Sequence, residues 1–222
     1  MQELIIGIVS SLLAGGITVA AGWLGLAWPR RVLVRGLSKL TGVGIERSYT
    51  KQSAANADLA ADLRTARWIK VLTGRGNELT RDSFQVVWQA GNPVLEYGHV
   101  LLPDPDDPGG WLARREQEVR HADPGFGAGL LADQLRVNIR YLNAVAAREA
   151  KIEVRLFDAP HTHRVILTDR VAYFTPYQPG VHGRNSPCLV FRAGGAMYDH
   201  LLRTFDIMWQ AARTAAEDER SV

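Results

Sequence analysis

The chain has 222 residues and a formal net charge of +3, with one cysteine, Cys188, which excludes an intrachain disulfide and suits a reducing cytoplasm. The charge is unevenly placed: Arg30, Arg31, Arg35 and Lys39 supply four positive charges and Glu3 one negative, so everything from Thr41 onward sums to zero. A neutral domain of about 180 residues is large enough for one sizeable core, and its charge predicts no general nucleic-acid binding.

The first element is an uncharged run from Leu4 to Trp28. As a helix it would extend roughly 37 Å, which is enough to cross a hydrocarbon core of about 30 Å. No Lys or Arg precedes it and its apolar stretch exceeds a signal-peptide core, so it reads as a retained anchor over residues 1–29. The basic residues after the run predict a cytoplasmic domain and an N-terminus outside, in a single-pass inner-membrane protein. Gly7, Ser11 and Gly15 are spaced by four, as are Ala14, Thr18 and Gly22. Such ridges favour helix–helix approach and a homo-oligomer, although small residues are common in membrane helices generally.

Residues 30–52 read as a basic juxtamembrane linker, interrupted at Thr41-Gly42-Val43-Gly44, and the domain is expected over 53–222. Ser53–Arg67 is Ala-rich and helical in propensity, followed by a short strand at Trp68–Thr73 that stops at Gly74-Arg75-Gly76. A helix at Thr80–Gln89 points Phe84, Val87 and Trp88 inward, and a strand at Tyr97–Leu102 ends in Pro103-Asp104-Pro105. Two helices come next, at Trp111–Val119 and Ala128–Ala150; the second carries Leu131, Leu135, Ile139, Leu142 and Val145 at helical spacing. The period then changes to that of strands at Ile152–Asp158, His163–Thr168, Val171–Thr175 and Cys188–Arg192. A closing helix presents Met197, Leu201, Phe205, Met208 and Ala212 on one face. Strands alternating with helices predict an α/β domain with a mixed sheet.

Chemistry concentrates in Asp158-Ala159-Pro160-His161-Thr162-His163-Arg164, which runs on through a strand to Thr168-Asp169-Arg170 and is followed by Gly183-Arg184-Asn185-Ser186. This stretch resembles the phospholipase D-like superfamily, whose signature is His-x-Lys, four residues, Asp, and then a Gly-rich segment with Asn. The resemblance implies a phospholipase D-like α/β domain whose histidine attacks phosphorus while the lysine holds phosphate oxygens. No register supplies all three residues. Aligning Asp169 puts Thr162 and Arg164 at the His and Lys positions; starting from His161 gives His163 and Thr168; starting from His163 gives Val165 and Arg170.

Threonine is a poor nucleophile for that task, whereas an arginine suits phosphate oxygens. The expectation is a degenerate site that binds a phosphate-containing ligand or a protein partner without turnover. The candidate contacts are Arg164, Thr162, Asn185, Ser186 and Arg75, and any catalytic role would fall to His161, His163 or Asp169. The alternatives are an active phosphodiesterase working as a dimer, since the family builds one site from two motif copies, and a non-catalytic membrane scaffold. Strand alternation places His161 and His163 with apolar residues and Arg164 on the other face. Gly74-Arg75-Gly76-Asn77 could offer backbone amides to an anion, or be a plain turn; it lacks the Gly-Lys-Ser/Thr of a Walker loop. No metal ligands at a recognised spacing and no cofactor fingerprint are present.

Overall fold

The computed structural model describes residues 36, 38, 41–80, 82–88, 92–106, 110–160, 162–179 and 181–215. Eight strands form one sheet: β1 (Ile45–Tyr49), β2 (Trp68–Leu72), β3 (Tyr97–Pro103), β4 (Ile152–Phe157), β5 (His163–Thr168), β6 (Val171–Pro176), β7 (Cys188–Arg192) and β8 (Arg213–Thr214). Their spatial order is β1-β7-β6-β5-β2-β3-β4-β8. β2, β3 and β4 run parallel, and every other pairing is antiparallel. The sheet therefore changes character between β2 and β5, where Val71 faces Ile166 and Leu72 faces Val165.

Among the elements described from Ile45 onward, five helices accompany it: α1 (Asn56–Arg64), α2 (Gln85–Trp88), α3 (Trp111–Ala122), α4 (Leu130–Arg148) and α5 (Ala196–Ala211). The apolar positions expected on α4 are all buried, with Asn138 among them. Glu116 of α3 accepts the Gly129 and Leu131 amides at 2.7 and 3.0 Å, giving the α4 N-terminus a cap from a neighbouring helix. On α5 the buried residues are Tyr198, Leu201, Phe205 and Trp209, while Met197 and Met208 are partly buried. α5 packs against β4, β6 and β7, and α4 against β3 and β4.

The mixed α/β sheet agrees with the sequence reading; the membrane-spanning helix in the expected architecture is corrected. Among the described residues no helix is long and apolar enough to cross a membrane, and the 4–28 run lies outside them. A lipid bilayer partner through that run is therefore not carried forward.

Other differences are local. The helix expected from Ser53 starts as a 3-10 turn at Gln52–Ala55, and the one from Thr80 becomes a 3-10 turn at Asp82–Phe84 running into α2. Phe84, Val87 and Trp88 are buried as expected. β1 falls in the segment read as a linker, and it is tied down by polar contacts instead of apolar burial. Arg47 pairs with Asp62 and Asp58, Tyr49 donates to Asp58, and Tyr173 donates to Asp62 at 2.6 Å. Burial, and then the hydrogen bond to Asp62, push the Tyr173 hydroxyl far above its ordinary pKa. Where β1 begins, Gly44 meets Gly195 so closely that a Cβ on either would lie 2.7 Å from the other's Cα.

Candidate functional site

The parallel and antiparallel halves of the sheet meet at β2 and β5, and a cleft of about 650 Å³ opens there. It lies beyond the C-terminal ends of β2 and β6 and the N-terminal end of β5, the position where open α/β sheets place ligands. Thr73, Gln52, Arg164 and Thr175 are all buried and form its floor. Its rim carries the exposed His182, Arg184 and Glu118, and Trp111, Val119 and Leu131 add an apolar wall.

Arg164 reaches the cleft because it faces Thr175 across the β5–β6 pairing, on the side of the sheet occupied by Val71 and Ile166. It is 2 % exposed and already engaged. Its guanidinium pairs with Glu78, and Gln52, with its carbonyl turned toward it, accepts from Nη1 and Nη2 at 2.9 and 3.1 Å. Burial opposes the charge, but Glu78 outweighs it and holds the guanidinium above its ordinary pKa. Gln52 is fixed in turn by its backbone N–H, which donates to the Ser186 carbonyl at 2.7 Å.

Glu78 follows the Gly74–Asn77 loop. Asn138 of α4 clamps that loop, its Nδ2 donating to the Arg75 carbonyl and to Asn77 Oδ1, both at 2.7 Å. Gly76 has φ +78°, and a Cβ there would approach Leu102 Cδ2 to 2.9 Å, so glycine suits the position doubly. The Gly74 amide donates to the Tyr177 hydroxyl at 3.2 Å. Burial and then Glu78 raise the Tyr177 pKa, so it stays a neutral phenol.

Arg75 and Arg184 form no ion pair among the described residues. The Arg75 guanidinium lies 5.1 Å from the Phe126 ring centroid. Burial lowers its pKa, with Arg115 contributing in the same direction. Arg115 pairs with Glu118 at 2.7 Å and lies over Tyr177, and His182 Nε2 is 3.6 Å from Asp123 Oδ2. The four lining arginines face three carboxylates, Glu78, Glu118 and Asp123.

The residues singled out in the sequence separate accordingly. Arg164 and Arg75 line the cleft. Thr162 is exposed and outside it, with its carbonyl accepting from the Tyr177 amide at 2.9 Å. Ser186 is buried and braces the neighbouring loop, and Asn185 is exposed in the 3-10 turn Gly183–Asn185. His163 faces the α5 side, its ring 5.4 Å from Phe174, and its pKa is lowered by burial and then by His200. His161 lies outside the described residues. Asp169 sits at the far end of β5, roughly 17 Å along the strand from Arg164, where it accepts the Arg67 amide at 3.0 Å. The strand that joins Arg164 to Asp169 in the motif thus holds them apart. Glu78, Gln52, Arg115 and Tyr177 were not anticipated; only Glu78 had a signal, its place directly after the Gly-Arg-Gly-Asn turn. Among the described residues no group of three or more His, Cys, Asp or Glu is arranged to hold a metal.

No family model matches the chain, and no curated protein matches it. It is similar to some solved structures. One is TrmBL2, an archaeal chromatin protein with a novel mode of DNA binding, at 13% identity and TM-score 0.46, covering 93% of this chain and 69% of that one. Another is Nuc from Salmonella typhimurium, a phospholipase D family member, at 12% identity and TM-score 0.44, covering 72% of this chain and 90% of that one. Both likenesses are remote.

The expectation of no general nucleic-acid binding, which rested on net charge alone, is withdrawn. The physical reason is that net charge is a sum over the whole domain, and a neutral domain can still gather four arginines in one cleft.

Proposed function

We propose that the cleft is a degenerate phospholipase D-like site, one that binds a phosphate-containing ligand and does not cleave it through a histidine on β5. The observation that carries this reading is the pair Arg75 and Arg184, two cleft arginines that form no ion pair among the described residues, with Asp123 attracting Arg75 from a longer range. A half-buried arginine whose charge burial disfavours gains most from an incoming anion. Arg164 serves as a fixed floor, because Glu78 already meets its charge. His163 points to the opposite face of the sheet, and Thr162 stands outside the cleft.

The test is a titration of the purified full chain with inorganic pyrophosphate, followed by tryptophan fluorescence, since Trp111 lines the cleft. Saturable binding that weakens with added salt is expected, along with its loss in the double variant Arg75→Ala, Arg184→Ala. Bis(p-nitrophenyl) phosphate should not be hydrolysed. Hydrolysis abolished by His182→Ala would replace this reading with the active phosphodiesterase.

A further inference from the structure

The cleft holds one arginine whose charge is met and others that form no ion pair among the described residues, and the difference bears on the organic part of the ligand; the inference rests on the anion-binding reading above. At the floor the Arg164 charge is met by Glu78, whose side chain is 27% exposed and so remains accessible from the cleft. Around this pair stand Gln52, Thr73, Thr175 and the neutral Tyr177, all hydrogen-bonding groups without net charge. A phosphate placed there would meet the Glu78 carboxylate, and like charges at such range repel. A hydroxyl placed there donates to that carboxylate, a charge-assisted bond of the stronger kind. Arg75 and Arg184, which form no ion pair among the described residues, line the same cleft, with Arg184 exposed and Arg75 half-buried.

We infer that the ligand is a hydroxylated phosphate ester, a sugar phosphate or polyol phosphate, bound with its hydroxyls on Glu78 and its phosphate on Arg75 and Arg184. Glu78 is then a specificity-determining residue: it selects for hydroxyl donors and against a second anionic group at the floor. The cleft volume of about 650 Å³ admits a ligand of that size with both ends engaged. A plain alkyl phosphate satisfies Arg75 and Arg184 but leaves the Glu78 carboxylate facing a chain with no donors, and the penalty falls on affinity.

Calorimetric titration of the full chain with ribose 5-phosphate, n-butyl phosphate and inorganic phosphate tests this directly. Ribose 5-phosphate is expected to bind at least about tenfold more tightly than n-butyl phosphate, two ligands of like charge. Glu78→Gln should erase most of that ratio, whereas Arg184→Ala should weaken both esters equally. Should Glu78→Gln not fold, as judged by its melting curve, Thr175→Val removes a floor hydroxyl without touching charge and is expected to narrow the same ratio. A lipid headgroup can present the same chemistry, so phosphatidylglycerol vesicles are compared with phosphatidic acid vesicles; a preference for the hydroxylated member of either pair supports the inference. Equal affinity within both pairs overturns it while leaving the anion site intact. Binding of none of these probes, soluble or vesicular, overturns the anion site as well.

Discussion

Arg164 and Glu78 are unequal partners in one ion pair, and the inequality makes a prediction. The arginine side chain is 3% exposed and the glutamate 27%. Removing one member of a buried pair costs about 3–5 kcal/mol because the other is left without compensation. Glu78 can recover water when Arg164 is removed, whereas Arg164 cannot when Glu78 is removed. Glu78→Ala is therefore expected to destabilise the fold more than Arg164→Ala, with both measurable as shifts in the urea midpoint at constant slope. The reverse order would mean that Gln52 supplies most of the compensation. Arg164 was legible in the sequence because strand alternation separated it from His163. Glu78 was marked only by its place after the Gly-Arg-Gly-Asn turn, since nothing within a few residues says that it meets a strand beginning at residue 163.

At the scale of elements, the loop that carries Arg75 and Glu78 is held by one side chain of α4. Asn138 makes two hydrogen bonds to it from a buried position on the helix. Asn138→Ala is expected to cost about 1–3 kcal/mol, the range for breaking such bonds in a buried setting. Hydrogen exchange at Gly74 should speed up more than in the α4 core if the asparagine acts on the loop and not on the helix. The long periodic elements were readable: α4 showed its apolar stripe, and β2 to β7 fall close to their expected bounds. β1 and β8 were not. β1 is half-buried along its whole length, so no alternation of buried and exposed positions marks it. β8 is two residues long and is defined only by its partner β4.

For the molecule as a whole, two histidines on the α5 side of the sheet are expected to make stability fall with acid. His163 has its pKa lowered by burial and then by His200; His99, stacked on Trp209 at 4.2 Å, is lowered chiefly by burial. A histidine depressed in the folded state takes up its proton more readily once unfolded. Its contribution is therefore intact above the ordinary value of 6.5 and is lost as pH falls below it toward the folded values. Stability should decline as pH falls below about 6.5, and His163→Phe should flatten that decline. A decline that persists unchanged in the variant would assign the effect to other groups. The acidic and basic composition gave no hint of this, because desolvation belongs to the packed state and not to the chain.

The floor of the cleft joins Gln52, Glu78, Arg164 and Thr175, residues drawn from four segments strung across most of the described chain. Nothing local can assemble it. Arg164 and Thr175 meet across the β5–β6 hairpin, but β1 waits for β7 and β2 waits for β5, so loops of many tens of residues must close before Gln52 and Glu78 join them. Such closure is slow, so the complete cleft is expected late in folding. A chain cut before β7 would keep the parallel strands β2–β4 in its sequence and yet lack the pairing that holds Gln52 in place. Recovery of ligand binding after dilution from denaturant should therefore lag behind recovery of helical signal.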